Sequence, residues 1–200
     1  MKELLIATNN PGKFREYKEI FKQLKLSIKL TSLKELKIKE KAEEKGKTFK
    51  ENAVIKARFF SKLSGLPTLS DDAGIEIDYL KGEPVVKSRR WLGYELTDEE
   101  IINTALKKLE GVPKKKRNAN LKAVIGLIFP PSKKIYTFQG ILKGFIAEKP
   151  IKKRVNGYPF RSIFIPLGSK KYLGQMGIIA HRKKAVEKSL TTIKKYLCLI

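Results

Sequence analysis

The stretch LLIATNNPGKFREYKEIF, residues 4–21, limits the choice of fold more than any other part of the chain. A short apolar run over 4–7 predicts a buried strand, stopped by turn residues before a helix could form. Apolar residues return at Phe14, Tyr17, Ile20, Phe21 and Leu24, the spacing of one helix face, which predicts a helix over 13–24. A strand, a tight turn and a helix start aim backbone N–H groups and the positive end of the helix at one point, where an anion can sit. Asn9 and Asn10 add amide donors, Gly12 allows close approach to the backbone, and Lys13 brings a full charge. The pattern lacks the glycines and the Ser/Thr of a Walker loop. A phosphate cradle and an ordinary strand-to-helix turn both fit these residues.

The following segments extend the alternation of strand and helix. A second short strand falls over 27–30, and the charged stretch 33–47 reads as loop with some helix. Thr48-Phe-Lys-Glu51 is a capping box, in which the Thr hydroxyl and the Glu carboxylate satisfy each other's backbone N–H groups. Ala53, Val54, Ala57, Phe60 and Leu63 continue that helix until Gly65 stops it. Short strands are predicted over 67–70 and 75–79, flanking SDDAG, and residues 82–93 are irregular. Thr97 opens a second capped helix to about Leu109. Strands follow over 121–129, 135–146 and 163–165, and a final helix spans 180–197. Strands and helices mix without strict alternation, so the fold class is α/β or α+β with a mixed sheet. Two hundred residues favour one domain, possibly in two lobes.

The net charge of +24 attracts anions: nucleic acid, nucleotides or an acidic membrane face. The excess is mostly scattered lysine, and neither zinc-finger spacing nor an aromatic ribonucleoprotein motif accompanies it. Its densest run, residues 113–120, reads as a solvated loop. No apolar run is long enough to span a membrane, and the N-terminus does not read as a signal peptide. The single cysteine, Cys198, excludes an intramolecular disulfide and a cysteine-built zinc site, and a reducing cytosol is the expected location.

Adjacent carboxylates at Asp71 and Asp72 end an apolar strand, where sites of α/β proteins often lie. They repel each other, so each needs a cation or a proton. Magnesium meets that need with oxygen ligands and can bring a triphosphate with it; turn caps are the ordinary alternative. Glu43 and Glu44 add carboxylates upstream, or a solvated surface. Asn52 and Lys56 share a helix face. His181 and Arg182 could read a polar ring edge or a phosphate, or form a plain surface pair. Tyr158 and Phe160 beside Arg161 suit base stacking and donation to oxygens, or a turn with two core aromatics.

The order of TNNPGK, AEEKGKTFKENAVIKAR, SDDAGIEID, GEPVVKSRRW and IAHRKKA resembles the inosine/xanthosine triphosphate pyrophosphatase family, hydrolases of non-standard purine nucleoside triphosphates. The resemblance covers nearly the whole chain, strongly up to Trp91 and more weakly after Gly157. It implies an α/β fold, two-lobed around a long curved mixed sheet with a central cleft, Maf-like in class. It also implies Mg²⁺-dependent cleavage to a nucleoside monophosphate and pyrophosphate, by a homodimer. Carried over by motif, Thr8, Asn9, Asn10, Pro11, Gly12 and Lys13 hold the triphosphate, with Lys56 nearby. Glu44 and Asp72 serve the metal, and Asp72 prepares the attacking water. His181 and Arg182 read the oxo-purine edge, and Tyr158, Phe160 and Arg161 form the base loop. Ala73 replaces a family serine, and Arg161 stands where the family has a carboxylate. A guanidinium only donates, so that exchange inverts the hydrogen-bond pattern offered to a base. Two rivals remain beside this reading. One is a basic nucleic-acid-binding protein that keeps the fold without hydrolysis; the other is a Maf-like pyrophosphatase, against which the His-Arg pair argues.

Overall fold

A computed structural model of the chain describes residues 2–177 and 180–198. Six strands hydrogen-bond in the order β2-β1-β3-β4-β5-β6. Strand β1 (Glu3–Ala7) lies between β2 (Lys29–Ser32) and β3 (Thr68–Ile77) and is parallel to both. Strands β4 (Asn118–Ile128) and β5 (Ile135–Ile146) follow, and β6 (Phe164–Pro166) pairs antiparallel with β5, so the sheet is mixed. The helices are α1 (Pro11–Gln23), α2 (Phe49–Ser64), α3 (Asp98–Lys108) and α4 (Ala180–Leu197). The fold class is α/β, as the sequence implies. No described helix is long and apolar enough to cross a membrane.

Residue contacts divide the chain into two compact units. The first contains the chain up to Asp72, Ala123–Gly140 and the residues from His181 onward. Here Leu5, Ala7, Leu33 and Phe60 form a buried cluster, flanked by Leu36, Ile38, Ala42, Phe59 and Leu66. Residues 33–47, expected to hold some helix, contain none; a turn over 33–37 feeds Leu33 and Leu36 into this cluster. The second unit contains Ala73–Lys122 and Ile141–Ala180. Its core combines Ile75, Ile77, Ile101, Ile102, Ile146 and Phe164, all fully buried.

Several boundaries depart from the sequence reading for physical reasons. Strand β3 runs unbroken through Asp71 and Asp72, although Asp disfavours strands. Each carboxylate meets a cation there, Asp71 with Lys13 and Arg182 and Asp72 with Lys56. Strand β2 starts two residues late because parallel register with β1 pairs Leu4 with Leu30. The basic run at 113–120 is not simply a solvated loop. Arg117 is 3% exposed and donates to the carbonyls of Leu109, Val112, Ile146 and Ala147, and β4 already begins at Asn118.

Two glycines set how closely helices approach the sheet in the first unit. A Cβ at Gly126 would stand 2.9 Å from the Ala53 carbonyl oxygen, so α2 rests directly on β4. Ser70 Oγ, which donates to that same carbonyl at 2.5 Å, ties α2 to β3 as well. At Gly140 a Cβ would overlap the carbonyl oxygen of His181 and stand 2.7 Å from the Ala185 nitrogen. Backbone cannot yield as a flexible side chain does. Gly140→Ala is therefore expected to destabilise the protein by about 1–3 kcal/mol in chemical denaturation, through displacement of α4. Unchanged stability would contradict this packing.

Candidate active site

The carboxyl end of β1 lies beside the start of the parallel strand β3, with Ala7 in register with Ser70. The residues just beyond are Thr8 on one strand and Asp71 on the other. The turn after β1 is more ordered than its sequence alone requires. Asn10 is the N-cap of α1, its Oδ1 accepting from the N–H groups of Gly12 at 2.8 Å and Lys13 at 3.1 Å. Thr8 Oγ1 accepts from the Asn10 N–H at 3.2 Å. Pro11 takes the first helical position, where no N–H is needed. Asn10, expected as an amide donor, thus uses its oxygen to satisfy N–H groups that the sequence reading offered to phosphate. Asn9 and Pro11 are exposed, and Gly12 is half-buried.

Helix α1 carries Lys13 and Tyr17 on one face, one turn apart, and both reach Asp71. Lys13 Nζ donates to Asp71 Oδ1 at 2.6 Å, and the Tyr17 hydroxyl donates to Oδ2 at 2.7 Å. Arg182, from the first turn of α4, donates through Nε to the same Oδ2 at 2.8 Å and through Nη1 to Glu16 Oε2 at 2.8 Å. Asp71 and Arg182 are almost wholly buried. Burial works to raise the Asp71 pKa, but Arg182, Lys13 and the Tyr17 hydrogen bond outweigh it and hold the carboxyl well below the usual range. The Tyr17 hydroxyl is pushed well up by burial and by the charge of Asp71, so it stays a donor.

Asp72 points to a different partner set. Lys56 Nζ, on α2, donates to Asp72 Oδ1 at 2.8 Å and to Glu44 Oε2 at 2.9 Å. Asn52, one turn before Lys56, donates to Asp72 Oδ2 at 3.4 Å and accepts the Gly46 N–H on its own Oδ1 at 2.8 Å. A Cβ at Gly46 would sit 2.5 Å from that Oδ1, so only glycine lets the Glu44 loop come this close. Burial raises the Asp72 pKa above the ordinary value; Lys56 and Lys13 oppose the rise, and Glu44 adds to it. Burial also works against the charge of Lys56, but its two carboxylates outweigh that and raise its pKa. Lys56 is buried.

The first unit therefore brings together Lys13, Glu44, Lys56, Asp72, His181 and Arg182 from the expected site, along with the Thr8–Lys13 turn. His181 and Arg182 are both buried rather than a surface pair, with Arg182 Nη1 3.2 Å from His181 Nε2. Ile179, at the front of the IAHRKKA motif, lies outside the described residues. In the second unit, Ala73 continues β3, Phe160 joins the buried core, and the Arg161 guanidinium lies 4.2 Å from the centre of the Tyr158 ring. Sequence reasoning missed the central role of Asp71 and the parts played by Tyr17 and Glu16. The Lys13–Tyr17 spacing of four was the available signal for Tyr17; Glu16 gave none.

The donor set fits a divalent ion brought in by its ligand. Among the described residues, no group of three or more His, Cys, Asp or Glu side chains could hold a metal. Asp72 and Glu44 converge as a pair, and Mg²⁺ typically binds one or two carboxylates plus phosphates of a substrate.

A model of the Ham1 family matches residues 4–192. The chain belongs to the Ham1 family. It is 38% identical over 203 residues to a Caldanaerobacter subterraneus protein named dITP/XTP pyrophosphatase, covering 98% of this chain and 96% of that one. A Bacillus subtilis protein of the same name is 35% identical over 193 residues, covering 94% and 95%. Among solved structures, a HAM1 protein from Coxiella burnetii superposes with a TM-score of 0.81 at 33% identity, covering 98% of this chain and all of that one. The Staphylococcus aureus Ham1 protein gives 0.79 at 31% identity, covering 97% and 99%.

The Asp71 network also sets a pH dependence in this Ham1 protein. A carboxylate whose pKa is lowered on folding stabilises the fold fully above its unfolded value of about 3.9 and loses that contribution as pH falls toward the folded value. Asp71→Asn leaves Lys13 and Arg182 without their shared anion, at an expected cost of about 3–5 kcal/mol near neutral pH. In urea denaturation the gap between wild type and variant should narrow as pH is lowered below about 4. A gap independent of pH would contradict the assignment.

Proposed function

We propose that this protein hydrolyses nucleoside triphosphates of non-standard purines to the monophosphate and pyrophosphate, with Mg²⁺ as the divalent ion. The observation that carries the reading is Asp72: a largely buried carboxylate with a raised pKa, sharing one ammonium with Glu44, beside a turn that ends in Lys13. The names of the relatives support the substrate class.

Each residue then has a task. Lys13 has further N–H donors beyond the one that meets Asp71, and its side chain is 18% exposed, so it can reach phosphate oxygens. Asp71, Tyr17 and Arg182 fix where that ammonium stands; Arg182 serves here by position, its guanidinium already engaged by two carboxylates. Asp72 accepts the proton of the attacking water, a role its raised pKa favours. Asp72 and Glu44 would hold the metal, which when bound neutralises charge on the phosphates as the anhydride breaks. Tyr158 and Arg161 supply an aromatic face and donors for a base carrying carbonyl oxygens, while Phe160 packs beneath that loop. The family resemblance extends the proposal to a homodimer, and the lone cysteine extends it to the cytoplasm.

Asp72→Asn keeps the shape and removes the base. It should lower turnover of inosine triphosphate by at least about 10²-fold while circular dichroism stays unchanged. Full activity in that variant would refute the role of Asp72. A panel of inosine, xanthosine, guanosine, adenosine and pyrimidine triphosphates tests the base: the first two should turn over fastest, and a preference for pyrimidines would overturn the substrate class. Chelation with EDTA should stop the reaction, and added Mg²⁺ should restore it.

A further inference from the structure

The position of Lys56 needs more than phosphate binding to explain it. Its side chain is 11% exposed and its ammonium bonds two carboxylates at 2.8 and 2.9 Å. Those two carboxylates are the pair assigned to the metal. They are also held in place, Asp72 by Asn52, and the Glu44 loop by the Gly46 bond to that same Asn52. The pair is thus assembled and half neutralised by a cation built into the chain. A free divalent ion meets one net negative charge and an ammonium already seated between its two ligands. No third acidic, His or Cys ligand among the described residues makes up the deficit. A triphosphate makes it up on both sides, offering the ion phosphate oxygens and offering Lys56 a new anion.

We infer that Lys56 is the resident counter-ion of the Asp72–Glu44 pair, so that the protein takes up a divalent ion as its triphosphate chelate and not as the free ion. This rests on the proposed metal role of the pair. The exchange is one of partners only: the ammonium leaves the carboxylates for phosphate oxygens as the ion approaches. The lysine thereby helps to set the order of assembly, keeping the two acids paired until nucleotide arrives.

The inference has an unusual sign, since removing a cation from a nucleotide site should improve metal binding. Mn²⁺ binding is followed by electron paramagnetic resonance for wild type, Lys56→Met, Lys56→Gln and Asp72→Asn, each checked for folding by its thermal transition. Mn²⁺ is added alone, and then with the α,β-methylene analogue of inosine triphosphate. Wild type should bind Mn²⁺ alone weakly and at least about tenfold more tightly with the analogue. Removing a unit charge this close to the ion should tighten binding of Mn²⁺ alone by at least about tenfold in Lys56→Met and Lys56→Gln, while weakening binding of the analogue. Mn²⁺ alone binding no more tightly to either folded Lys56 variant would overturn the inference and leave the metal assignment standing. If Asp72→Asn bound Mn²⁺ with the analogue as tightly as wild type, the metal role of the pair would fail, and the inference with it.

Discussion

The carboxylate of Asp71 is the fixed point of the first compact unit. Its two oxygens accept from a lysine and a tyrosine on α1 and from an arginine on α4, so one residue of β3 binds two helices that are remote in sequence. A buried charge is tolerable only when it is paired and hydrogen-bonded. Each donor here is needed by the anion, and each cation needs it in return. Removing Asp71 leaves Lys13 and Arg182 without the anion they share. The Thr8–Lys13 turn inherits its geometry from this arrangement, because Lys13 is at once the end of that turn and a ligand of Asp71.

The neighbouring acid is built on the opposite principle. Asp71 is saturated by donors and stays ionised, whereas Asp72 is half-compensated by a lysine that Glu44 also claims. Adjacent residues in a strand point to opposite faces, so two carboxylates one residue apart enter two different environments. One is structural, and the other is the base of the proposed reaction. The same alternation explains how an Asp-Asp pair survives within a strand: Asp71 bonds Lys13 and Arg182, and Asp72 bonds Lys56.

Much of this was legible in the sequence where local rules decide the outcome. The β1 strand, the turn and α1 follow from an apolar run, a Pro-Gly break and helical spacing. Both capping boxes, at Thr48 and Thr97, formed as their residues require. The misses share a cause: a distant partner overrode local preference. Continuous β3 through Asp71 and Asp72 needed cations from α1, α2 and α4 that strand propensity cannot see. Arg117 read as part of a solvated basic run, yet four carbonyls from separate segments bury it. Motif order pointed to Lys56 and Glu44 as functional residues, but only the structure revealed that they bind each other.

The identity of the bond that breaks tests the account most directly. Inosine triphosphate turnover followed by phosphorus NMR should yield monophosphate and pyrophosphate in equal amounts from the first measurable point, with no orthophosphate. Release of orthophosphate with inosine diphosphate would contradict it, because the carboxylates and lysines would then be directing attack at the wrong anhydride.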